Sequence, residues 1–97
     1  MIRNNEQKLG DVIKSFFEEN PQLQKKIREI RLTRAWGAVL GPMVSHYTTG
    51  LYVKEGVLFV KLSSSVLRSE LLMCKDMLIT NLNKYVGADI LHDIVIR

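Results

Sequence analysis

The sequence predicts an α+β domain in which helices cover a small mixed sheet. Three observations carry this expectation. Leu58, Val60 and Leu62 alternate with Val57, Phe59 and Lys61, the two-residue period of a half-buried strand. After Ser63, Ser64 and Ser65 the period becomes helical, with Leu67, Leu71, Cys74, Leu78, Leu82 and Tyr85 on one side. Upstream lie three helical patterns and a second alternating run, and the chain closes on strand-like Ile94, Val95 and Ile96. The expected order is α-α-α-β-β-α-β, with a three-stranded sheet.

Each element has its own warrant. Leu9, Val12, Ile13, Phe16 and Phe17 repeat at helical spacing and give the first helix one apolar face, with Asn4 and Gln7 placed as a capping box. Asn20-Pro21 ends that helix and starts the next, because proline suits a first helical position and not an interior one. Leu23, Ile27 and Ile30 share a face of the second helix. The apolar set then restarts at Leu32, Trp36, Val39 and Leu40, rotated by roughly half a turn. That rotation predicts a break near Arg31 to Thr33, then a short third helix stopped by Gly41-Pro42. Trp36 reads as core, and its indole N–H needs a partner if buried.

Met43 to Thr49 reads as a connection, with Ser45 to Thr49 as an alternative extension of the following strand. Leu51 and Val53 alternate with Tyr52 and Lys54, and Glu55-Gly56 supplies a hairpin turn into the Val57 strand. One long helix is expected from about Ser65 to Val86, capped by Ser64 or Ser65 and stopped by Gly87. Leu71 lies on its buried stripe. Leu72, Ile79 and Val86 widen the stripe, whereas Met73 and Met77 lie off it beside Val66. A crossover through this helix would return the last strand parallel to the one it left.

Size and composition bound the function. A chain of 97 residues, 46% hydrophobic and 25% charged, is expected to fold as one globular domain spanning residues 1–97. It shows no apolar run of membrane length and no signal-peptide core, so the cytoplasm is the expected compartment and no membrane partner is expected. Its single cysteine excludes an intrachain disulfide and a multi-cysteine zinc site.

Charge placement says more than the total. Lys25, Lys26, Arg28, Arg31 and Arg34 crowd into ten residues opposed only by Glu29, while the rest of the chain is balanced. A basic stripe on a neutral body is a candidate footprint for phosphates; the alternative is a solvated helix face. No aromatic residue interleaves the run except Trp36 at its end. Met73 and Met77 are the candidate residues for docking a partner.

Catalytic constellations are missing from the sequence. The serines lack a nucleophile-elbow context, and serines ahead of a helix are ordinarily caps. A phosphate at that helix end is the rarer alternative. His46 and His92, even with Asp93, lack metal-ligand spacing, and Cys74 lies on the apolar stripe. There is no phosphate-binding loop, no dinucleotide fingerprint and no carboxylate pair with a mechanistic context. We therefore expect a non-enzyme with neither metal nor cofactor.

From Leu32 to Arg97 the chain resembles the bacterial DciA family of replicative-helicase loaders or operators. The matching segments, in order, are RAWGAVLGPMVSHYT, GVLFVKLSSSVLRSEL and LITNLNKYVGADILHDIVIR. The first carries Trp36, Gly41-Pro42, His46 and Thr48. The N-terminal helical part, residues 1–31, lies outside the resemblance. The resemblance implies a KH-like domain, a role near DNA replication, and the replicative DNA helicase and DNA as partners. The family was also labelled a domain of unknown function, sometimes as RNA-binding. Two departures stand out: Leu67 occupies a position where many relatives have tryptophan, and Arg97 follows directly on a strand where better-known loaders have a further region.

KH domains clamp the nucleic-acid backbone with a GXXG loop. Gly41-Pro42-Met43-Val44 is the nearest approach and lacks the second glycine. The expected function is accordingly a replication accessory with weak, sequence-independent nucleic-acid binding through the basic helix. The alternatives are a protein-interaction module, as a homo-oligomer or docked on a partner, and an RNA-binding KH-like protein.

Overall fold

Glu55 and Gly56 turn the chain with positive φ at both residues, 51° and 75°. This is the geometry of a two-residue hairpin whose twist matches its strands. A side chain at Gly56 would collide with the His92 ring, and the Gly56 carbonyl accepts the His92 N–H at 2.8 Å. The hairpin turn is thereby fastened to the segment that leads into the last strand.

The computed structural model describes residues 2–97, with side chains from residue 8 onward. Its elements are α1 (Ile2–Glu18), α2 (Pro21–Tyr47), β1 (Thr48–Lys54), β2 (Val57–Leu62), α3 (Ser65–Met73), α4 (Lys75–Val86) and β3 (Asp93–Ile96). The strands lie in the order β1-β2-β3, with β1 antiparallel and β3 parallel to β2. The fold is therefore α+β with a three-stranded mixed sheet. The connections explain the mixture, because a two-residue turn can only reverse the chain whereas a helical crossover restores its direction.

One face of the sheet carries Leu58, Val60 and Leu62 of β2 and Ile94 of β3, all buried. They form a single core with Leu71 of α3, Leu78 and Leu82 of α4, and Leu32, Ala35, Trp36 and Val44 of α2. Leu51 and Val53 of β1 pack at its margin. Trp36 is fully buried, and its indole N–H donates to the Thr48 hydroxyl at 3.1 Å, which in turn donates to the Val44 carbonyl at 2.7 Å. Thr48 thus supplies the partner that burial of the indole demands.

Three helix boundaries differ from the sequence expectation. No break occurs near Arg31 to Thr33, and α2 runs through that segment. The half-turn rotation of its apolar residues marks where α2 enters the core, not a kink. Leu32, Ala35 and Trp36 face the core, whereas Leu23 and Ile30, upstream, are exposed. The stop expected at Gly41-Pro42 is where α2 does break, Gly41 having φ 86° and ψ 176°, but Pro42 restarts the helix there. Met43 to Tyr47 are consequently helical and not a connection.

The long helix expected from Ser65 to Val86 is two helices separated at Cys74, with φ −119° and ψ 30°. Residue types around Cys74 do not announce this break. On α4 the buried face takes in Leu78, Leu82 and Asn83, with Ile79 and Val86 beside them. That rotation leaves Tyr85 exposed, contrary to its place on the expected stripe; Leu72 of α3 is exposed as well. The backbone is already helical at Ile2, so Asn4 lies within α1; the side chains of Asn4 and Gln7, and hence their capping box, are outside the described residues.

Candidate nucleic-acid interface

All five residues of the basic run are exposed on α2, but the structure does not gather them into one surface. Lys25 and Arg28 line a groove of about 380 Å³ between α2, the hairpin turn and the segment before β3. Glu29, Glu55, Asp89 and His92 line the same groove, so its charge is mixed. Lys25 Nζ lies 3.1 Å from Glu55 Oε1, with both side chains largely in solvent. Such a pair is screened and contributes little stability. It does, however, offset one of the charges expected to meet phosphates.

Arg31 and Arg34 line a different pocket, of about 290 Å³, together with Tyr85 and Val86 at the end of α4. Tyr85 is 61% exposed. Two guanidinium groups beside an exposed phenol combine phosphate-binding charge with a surface on which a base or another planar group can stack. Lys84, in the last turn of α4, lines a separate pocket with Asn83 and Asp89. Lys26 lines neither pocket. Sequence reasoning missed Tyr85 because it assigned that position to the buried stripe; its place beside two arginines from another helix is a tertiary fact.

The serines are engaged with backbone. Ser64 caps α3, its hydroxyl accepting the Leu67 N–H at 3.2 Å, and Ser65 is the first helical residue. The Ser63 hydroxyl donates to the Tyr47 carbonyl at 3.3 Å. Half-buried Cys74 keeps its Sγ 3.6 Å from the Glu70 and Leu71 carbonyls. His46 lies edge-on to Tyr47, with ring centroids 5.2 Å apart. Among the described residues no group of three or more His, Cys, Asp or Glu side chains could hold a metal ion.

Two further polar devices position this framework. Asp93 at the start of β3 accepts from Lys75 Nζ at 2.9 Å and from the Ile94 N–H at 2.8 Å. The Lys75 hydrogen bond, then the Ile94 N–H, hold its carboxyl below the usual aspartate value of 3.8. Asn83, a buried polar residue of α4, bridges to the segment ahead of β3 through both ends of its amide.

Apolar residues also reach the surface. Leu9, Val12, Ile13 and Phe16 form the apolar face of α1 and are each between 57% and 64% exposed. α2 is the principal neighbour of this helix. Met73 of α3 and Met77 of α4 are exposed, as is Val66. Among the described residues no helix is long and apolar enough to cross a membrane.

These features define a small helix-covered α+β domain whose marked surfaces are cationic, aromatic and apolar. The family model described as Dna[CI] antecedent, DciA, matches residues 8–96. The chain belongs to the DciA family. The match takes in most of α1 and the first half of α2, which the resemblance read from the sequence left out. Membership suggests a replicative-helicase loader-like role, and it implies a helicase partner. No curated protein matches the sequence.

Proposed function

We propose that this protein is a non-enzymatic accessory of the replicative DNA helicase that also holds nucleic acid, weakly and without sequence preference, on the helical side of the domain. The observation that carries the nucleic-acid reading is the cluster of Arg31 and Arg34 with exposed Tyr85. Lys25, Lys26 and Arg28 extend the positive field along α2, with Lys25 partly offset by Glu55. The resemblance implies a KH-like plan, and the sequence has no GXXG clamp, so in this reading phosphate contact falls to side chains and not to a glycine loop. Such contact displaces counterions, which makes binding steeply salt-dependent. The test is a salt series with a fluorescent single-stranded oligonucleotide, comparing the parent with Arg31→Gln/Arg34→Gln. A lower affinity and a shallower salt slope support the assignment; unchanged values reject it. DNA and RNA oligonucleotides of the same sequence, run side by side, distinguish a replication role from an RNA-binding one.

A second reading, a protein-docking module, is favoured by the uncovered face of α1. An amphipathic helix ordinarily lays its apolar side into a hydrophobic groove. Leu9, Val12, Ile13 and Phe16 offer such a side, and Met73 and Met77 offer another. Capture of purified replicative helicase by the parent, lost on Val12→Asp and retained on Arg31→Gln/Arg34→Gln, would assign the helicase contact to α1. Capture lost on Met73→Asp/Met77→Asp instead would assign it to the methionines.

A further inference from the structure

The helices cover one face of the sheet, and the other face carries its own chemistry. Strand register places Gly50, Tyr52 and Lys54 of β1 opposite Lys61, Phe59 and Val57 of β2 on that uncovered side. Val95 lies beside Phe59 across the parallel pair. The ladder continues past β3: the Arg97 N–H donates to the Val60 carbonyl at 2.9 Å, and the Arg97 carbonyl accepts from the Leu62 N–H at 2.8 Å. Alternation then brings Arg97 to the same face.

Tyr52 and Phe59 stack, with centroids 4.7 Å apart and planes within 6°. Tyr52 is nevertheless 54% exposed. A pocket of about 160 Å³ opens beside the pair, bordered by Gly50, Lys61 and Arg97. Gly50 helps to leave it open, since a Cβ there would press on the Lys61 side chain at 3.2 Å.

We propose that this open sheet face is a second binding site, distinct from the helical side, for single-stranded nucleic acid. Its aromatic pair supplies a stacking surface for a base, and Lys54, Lys61 and Arg97 lie within the same face to meet the phosphates. Cross-strand stacking by itself also stabilises a sheet, but it does not account for three cations around the rings. Those cations also argue against a second copy as the occupant, because two-fold face-to-face packing would bring like charges together out of water. Asp93, the acidic residue on this face, is already held by Lys75 and the Ile94 N–H.

The test uses oligo(dT) and an equal-length duplex, with folding checked by circular dichroism. Tyr52→Leu should weaken oligo(dT) binding by about five- to a hundred-fold, the range of one base–aromatic stack, while Tyr52→Phe keeps it and duplex binding is unchanged. The same loss should appear in the Arg31→Gln/Arg34→Gln background, which separates this site from the helical one. In the unmodified protein, an oligonucleotide carrying 5-iodouracil should photo-crosslink to the peptide holding Tyr52 or Phe59. Parental oligo(dT) affinity in folded Tyr52→Leu, or crosslinks confined to the peptide holding Tyr85, would overturn the proposal. So would a shift from dimer to monomer on Tyr52→Leu in sedimentation, which would make this face an interface between copies.

Discussion

Asn83 grips Leu91 by both ends of its amide: Nδ2 donates to the Leu91 carbonyl at 2.9 Å, and Oδ1 accepts the Leu91 N–H at 2.9 Å. Both residues are buried. The contact mimics a rung of backbone pairing and ties α4 to the segment that delivers β3. Replacing Asn83 with alanine would orphan two buried backbone groups, at a cost on the order of 2–4 kcal/mol. A chemical-denaturation midpoint for Asn83→Ala close to the parent's would show that water or local rearrangement satisfies Leu91.

Leu71 tests the core on the other side of the crossover. It is buried in α3 within the cluster containing Leu58, Val60 and Leu62. Leu71→Ala should therefore destabilise by about 2–5 kcal/mol. Exposed Leu72, its neighbour in sequence, should tolerate the same change within about 0.5 kcal/mol. Reversal of that order in urea titrations would mean that α3 presents its other face to the sheet.

Ser64 and Ser65 separate a cap from its neighbour. Ser64→Ala removes the hydroxyl that accepts the Leu67 N–H and should cost about 0.5–2 kcal/mol, whereas Ser65→Ala should be nearly silent. Oligonucleotide affinity per folded molecule should be the same for both. Selective labelling of Ser64 by an acylating reagent would contradict a purely capping role.

Acid should loosen the end of the sheet. Asp93 titrates below its unfolded value of 3.8 because Lys75 and the Ile94 N–H stabilise the carboxylate. Its stabilising contribution is present in full well above 3.8 and is lost as pH falls through the depressed folded value. Asp93→Asn should accordingly narrow the stability gap between pH 6 and the acid limb. The check is a melting-temperature series down to about pH 2.5; parallel curves for parent and variant would remove Asp93 from the account.

How much of this was legible beforehand depends on which residues speak locally. Alternation in Leu58, Val60 and Leu62, the Glu55-Gly56 turn and the serine cap all act within a few residues, and the hairpin, the sheet face and the start of α3 follow from them. The break misplaced to Arg31–Thr33 shows the limit. The apolar stripe of α2 rotates where the helix enters the core, Leu23 and Ile30 before that point being exposed. In sequence such a rotation looks the same as a kink. The stop expected at Gly41-Pro42, by contrast, rests on a local cause: Gly41 adopts a backbone that only glycine takes readily, and α2 breaks there. The candidate interface was half legible. Its cations stood out as a run, but their division between two pockets, the offset of Lys25 by Glu55 and the arrival of Tyr85 depend on contacts between distant segments.

The most direct measurement is the salt dependence of oligonucleotide binding by parent and Arg31→Gln/Arg34→Gln. For a single strand each phosphate contact contributes about 0.7 to the slope of log affinity against log salt. Loss of two contacts should therefore flatten the slope by about 1.4 and lower the affinity at low salt. Lys25→Gln, whose charge is already offset by Glu55, should change both less than either arginine substitution alone. Identical slopes and affinities for the parent and the double variant, with both folded, would contradict nucleic-acid binding on this side of the domain.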